Sequence, residues 1–78
     1  MATKGDLGGW ILAALRELGG TGTILQISEI IWRDHERDLR VSGGLFYTWQ
    51  YDLRWAGQDL RGSGALQPAE PGMPWRLS

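Results

Sequence analysis

The residues from Ser42 to Arg61, SGGLFYTWQYDLRWAGQDLR, contain no proline and repeat apolar side chains at spacings of three and four. Phe46, Trp49, Leu53, Ala56 and Leu60 fall in one stripe, so the stretch is expected to form a long helix with that stripe in the core. The opposite arc gathers Tyr47, Gln50, Tyr51, Arg54, Gln58 and Arg61: two phenols, two amides, two guanidiniums and no carboxylate. Side chains of these types hydrogen-bond to base edges and to phosphate oxygens. A chain built on this helix has to cover the stripe from one side and leave the arc free.

At 78 residues there is room for one domain with one modest core, and a chain this short buries only about 60 to 65% of its unfolded surface. The absence of cysteine removes disulfides, thiolate metal sites and thiol nucleophiles together. A domain without such staples gains stability by self-association, so a homodimer is expected. No apolar run is long enough to span a membrane, and MATKGDLGG lacks the regions of a secretory signal, so a cytoplasmic protein is expected. The net charge of -1 weighs against tight phosphate binding, which comes from neutralised phosphates. The charge is unevenly spread: Arg40, Arg54, Arg61 and Arg76 outnumber Asp52, Asp59 and Glu70, whereas the part before Arg40 is net acidic.

Residues 1–5 are expected to be a flexible start, with residues 6–78 forming a single domain. Asp6 is placed to cap a first helix in which Leu7, Trp10, Ile11, Ala14, Leu15 and Leu18 make the inner stripe, and Gly19 with Gly20 supplies the stop. TGTI, residues 21–24, suits a brief extended segment pairing with a later hairpin. Thr23 and Gln26 have the spacing of a capping box, opening a second helix that runs to about Trp32 or a turn beyond, with Ile24, Ile27 and Ile31 inside. Leu25, Ile30 and Trp32 widen its apolar arc, which implies a further cover on one edge. RDHERDLRVSGG, residues 33–44, reads as a charged connection, and Ser42 as the N-cap of the third helix with amides open to a phosphate. After Arg61, GSG is a turn, ALQPA and WRLS are extended, and residues 70–74 form the loop between them. Pro68 fits a strand end because it lacks an N–H, and alternation turns Arg76 away from the core. The order is helix, short strand, helix, helix, hairpin: an α+β winged helix-turn-helix with three helices and a short C-terminal β-hairpin wing.

Enzymatic readings fail on inventory. Lys4 is the one lysine, no Gly-rich phosphate loop, paired-histidine motif or nucleophile elbow occurs, and His35 between Asp34 and Glu36 lacks a second nitrogen or sulfur ligand. A solvated loop position is expected for His35, and no catalytic residue, metal or cofactor. Among the five tryptophans, Trp10, Trp49 and Trp75 are expected in the core, and Trp55 beside the hairpin rather than stacked on bases. Trp32 is expected at the surface, either against Leu39 under the charged connection or in a dimer contact with Leu25 and Leu39.

The run LRWAGQDLRGSGAL from Leu53 to Leu66, followed by a short loop and the terminal WRLS, resembles the N-terminal winged-helix domain of Mrr-type restriction endonucleases. There an R-W-A segment leads to a leucine, basic residues and glycine, and a hairpin closes on W-R-L/I-T. The resemblance covers roughly residues 7–78 and implies a DNA-contacting domain that stands here without the nuclease domain that follows it in that family. Tyr51 and Asp52 replace the asparagine and arginine usual before L-R-W, and Gly62 follows Arg61 where the family has a basic pair; phosphate affinity is expected to be correspondingly weaker. The expectation is a small non-catalytic protein acting on double-stranded DNA as a transcriptional regulator or accessory factor. Its contacts would be Ser42, Tyr47, Gln50, Tyr51, Arg54, Gln58, Arg61 and Arg76. The alternative is an adaptor that uses the same fold to bind a protein.

Overall fold

The computed structural model describes residues 2–78. A 3-10 turn, Lys4–Asp6, runs directly into α1, Leu7–Glu17; β1, Thr21–Gly22, follows, then α2, Ile24–Arg40, α3, Leu45–Ser63, and β2, Trp75–Arg76. The class is α+β: three helices and a two-stranded antiparallel sheet with Thr21 opposite Arg76 and Gly22 opposite Trp75. A bridge between Leu66 and Leu77 and the bond from Gln67 N–H to Arg76 O at 2.9 Å fold the tail back on itself, so β2 lies between β1 and residues 65–67. The brief extended segment and the terminal hairpin thus pair as expected.

The core is one cluster in which Leu7, Ile11 and Leu15 of α1, Ile27, Ile31 and Leu39 of α2, Leu53 of α3 and Leu66 of the hairpin are wholly buried. Apart from Leu39 and Leu66 they belong to the stripes read from the periodicity, but Trp10 and Leu18 of α1, Ile24 of α2 and Phe46, Ala56 and Leu60 of α3, expected in the same stripes, are only partly buried. Local chemistry fixes most boundaries. Gln26 N–H donates to Thr23 Oγ1 at 3.1 Å and Thr23 N–H to Gln26 Oε1 at 2.9 Å, closing the expected box on α2. Gly20, at φ 101°, donates to Leu15 O at 2.7 Å and stops α1 in a conformation an L side chain resists. Gly64, at φ 86°, ends α3 in the same way.

Three local expectations are corrected. Asp6 does not cap α1: its backbone is already helical and its carboxylate accepts from Thr3 N–H at 2.9 Å, so the helical path starts earlier. Residues 33–40 are not a loop but the second half of α2, interrupted at His35 (φ -128°, ψ 15°). Ionic pairs support this charged half: Arg40 donates to Glu36 one turn back at 2.8 Å, and Arg33 donates to both Glu17 at the end of α1 and Asp34. Ser42 does not cap α3, whose N-cap is Gly44. Its hydroxyl donates to Asp38 O at the end of α2 and accepts from Ala2 N–H at 2.9 Å. Of the five residues expected to be a flexible start, Met1 lies outside the described residues, Ala2 is buried in the core cluster, and Lys4 approaches Asp52 at 3.7 Å.

No helix among the described residues is long and apolar enough to cross a membrane.

Candidate nucleic-acid interface

At 1.5 Å per residue α3 is about 28 Å long, and its inner side is fixed by Leu45, Trp49, Leu53 and Gly57, all buried. That leaves the opposite arc exposed from Tyr47 to Gln58. Tyr47 is 84% exposed and Tyr51 64%, and Gln50, Arg54 and Gln58 are exposed between and beyond them. Arg54 forms no ion pair among the described residues. The side chains of the central part of the expected contact face are therefore exposed along one strip.

Its ends differ from expectation. Arg61 is half-buried: its guanidinium lies 4.7 Å over the Trp75 ring and donates to Gln58 Oε1 at 2.9 Å. Arg76, also half-buried, sits 3.8 Å from Glu70 of the hairpin loop. Neither Nε finds an acceptor among the described residues, so both arginines are partly committed to packing the hairpin. Ser42, 7% exposed with both hydrogen-bonding capacities used, has nothing left for a phosphate. The strip keeps one guanidinium without a partner among the described residues, that of Arg54.

Trp75 docks on α3 because residue 57 has no side chain: a Cβ there would come within 2.7 Å of the indole. Trp75 is thus half-buried rather than deep in the core. Trp55 faces away from this contact; it is 58% exposed and meets Tyr51 edge to face at 6.4 Å. The expectation that it packs beside the hairpin is not met. Asp52, noted in the sequence only for its charge and as a departure from the resembled family, is buried beside it, with its carboxylate accepting from Thr48 Oγ1 at 2.8 Å. Its position one residue before Leu53 on the inner side was the available signal.

His35 is no solvated loop residue either. It stands four residues after Ile31 and four before Leu39, on the inner stripe of α2, and its ring stacks on Trp10 at 3.8 Å. Among the described residues no three His, Asp or Glu side chains come together as metal ligands.

The residues expected at a dimer contact separate. Leu39 has no exposed surface and cannot meet another chain. Leu25 is 64% exposed, and Trp32 is half-buried, parallel to Trp49 at 6.1 Å and 6.4 Å from Phe46. Together with Ser28, Glu29 and Gln50 these side chains line an open groove of about 420 Å³ between α2 and α3, on the flank of the exposed strip.

The hydrogen bond from Arg33 holds the Asp34 carboxyl below the usual carboxylate range, and the bonds to Asp34 and Glu17 raise the guanidinium further above its ordinary value. This cluster lies apart from the strip and ties α2 to the end of α1.

Comparison with protein-family models, with curated proteins and with solved structures gave no match for this chain.

Proposed function

We propose that this chain is a non-catalytic winged helix-turn-helix domain of the kind found at the N-terminus of Mrr-type endonucleases, and that it binds double-stranded DNA through the outer face of α3, with residues 70–74 as the wing. The observation carrying this reading is the exposed strip of Tyr47, Gln50, Tyr51, Arg54 and Gln58, which holds donors, acceptors and a free guanidinium without a carboxylate among them. A major groove about 12 Å wide accepts one helix side-on, and the hairpin beside the C-terminal half of α3 supplies a second element for the backbone. The order of helices and strands supports the same reading.

With Ser42 enclosed and Arg61 and Arg76 turned toward the hairpin, few phosphates are neutralised per site. Binding is accordingly weak and only moderately dependent on salt. The test is fluorescence anisotropy with a random duplex over a salt series. Arg54→Ala is expected to weaken binding to all sequences and to flatten the plot of log K against log salt by about 0.9. Gln50→Ala and Tyr51→Ala are expected to change preference among sequences instead. A folded protein without duplex binding at low salt, or Arg54→Ala with wild-type affinity and slope, would refute the reading.

A second reading, a protein-binding adaptor, is favoured by one specific observation: the groove lined by Leu25, Trp32, Phe46 and Trp49 is apolar and open.

A further inference from the structure

The groove beside α3 is lined from α2 by Leu25, Ser28, Glu29 and Trp32, which are spaced as one helix face, and from α3 by Phe46, Trp49 and Gln50. Its aromatic floor has a preferred kind of visitor, because the face of each ring carries negative charge density and attracts a cation. The chain itself uses that property: the Arg40 guanidinium lies 5.2 Å from the centre of the Trp32 ring and 5.8 Å from that of Phe46. Arg40 is not part of the groove lining and is already paired with Glu36.

Glu29 is the one ionisable side chain in the lining. Its natural partner would be Arg33, one turn further along α2, but Arg33 is held by Glu17 at 2.8 Å and by Asp34 at 2.7 Å. Among the described residues no cation stands within salt-bridge distance of the Glu29 carboxylate. An uncompensated carboxylate at the edge of an aromatic groove disfavours a phosphate and leaves a purely apolar occupant with a charge to desolvate. A long cationic side chain meets both demands, laying its methylenes on the rings and its head group on the carboxylate.

We propose that this groove binds a lysine or arginine side chain from a basic, partly apolar segment of a partner protein, with Glu29 as counter-ion and Trp32, Phe46 and Trp49 as the aromatic wall. The inference extends the adaptor reading by naming the chemistry of the partner, and it does not depend on DNA contact by the strip.

The test follows the indole N–H signals of Trp32 and Trp49 by NMR in nitrogen-15-labelled protein. The probes are a short synthetic peptide of alternating leucine and lysine and a counterpart with norleucine for each lysine. The lysine peptide is expected to shift both signals saturably, and the norleucine peptide to bind at least about fivefold more weakly. Glu29→Gln, at an exposed position that leaves the core untouched, is expected to remove most of that difference, with circular dichroism confirming the fold. Equal binding of the two peptides, no shift with either, or an unchanged preference in Glu29→Gln would overturn the proposal. Shifts that appear on concentrating the protein alone would make the groove a self-association surface, and shifts with duplex DNA that strengthen in Glu29→Gln would make it part of the nucleic-acid face; either result also overturns it. Arg54→Ala in the salt series reports separately on the DNA reading.

Discussion

Gly57 lies inside α3, where an alanine would ordinarily stabilise the helix by about 0.8 to 1 kcal/mol. At this position the added methyl would stand 2.7 and 2.8 Å from two carbons of the Trp75 ring and 3.4 Å from a third, against an optimum of about 3.5 to 4.0 Å for carbon pairs. The indole cannot retreat freely. Arg61 covers it at 4.7 Å, and its backbone is tied to Gly22 through the short sheet. Overpacking of this kind costs about 1 to 3 kcal/mol, so it outweighs the propensity gain and leaves Gly57→Ala less stable by about 1 kcal/mol. In a domain of this size that is a fall in Tm of about 4 to 8 °C. Gly9, in α1, provides the control, since a Cβ there meets nothing within 4 Å; Gly9→Ala is expected to raise Tm. Thermal unfolding followed by circular dichroism reads both variants. A Gly57→Ala protein that gains as much stability as Gly9→Ala would show that Trp75 does not rest on α3, and the docking of the hairpin would have to be redrawn.

Leu53 has no exposed surface, and Leu53→Ala is expected to cost about 2 to 5 kcal/mol in chemical unfolding; an unchanged midpoint would mean that the faces of α3 are exchanged. Ser42→Ala leaves the buried Ala2 N–H without its acceptor and is expected to cost about 1 to 3 kcal/mol, with faster hydrogen exchange at that amide. Because Arg33 depresses the Asp34 carboxyl in the folded state, its contribution is present above the unfolded carboxyl range and is lost as pH falls through the folded value. Wild type should therefore melt above Asp34→Asn at neutral pH, and the gap should close in acid; a gap that persists in acid would contradict the pairing.

What could be read from the sequence was what is periodic or local. The centre of the α1 stripe, Trp49 and Leu53 of the α3 stripe, the Thr23 and Gln26 box and the glycine stop of α1 each depend on neighbours within one or two turns, and each recurs in the structure. The second half of α2 was missed because a run of charges resembles a solvated connection. Its inner stripe passes through His35, whose apolar partner, Trp10, is supplied by α1. Leu39, two turns past Ile31 on the same line, carried the helical signal, and its burial follows from that line rather than from any exposed contact.

The proposed contact face was legible as a list of side-chain types but not as a charge distribution, because pairing across the fold decides which cations remain free. Arg61 meets Trp75 and Arg76 meets Glu70 only after the hairpin closes, and Ser42 meets Ala2 across forty positions of chain. The same pairing runs in the opposite direction on α2, where Glu17 and Asp34 take Arg33 away from Glu29. Tertiary pairing thus lowers the positive charge on the outer arc of α3 and uncovers a negative one on the groove beside it. For DNA to bind, Tyr47, Gln50 and Tyr51 must carry a larger share of the affinity than they would on a basic helix. Loss of those three side chains should then weaken DNA binding more than loss of Arg54 does.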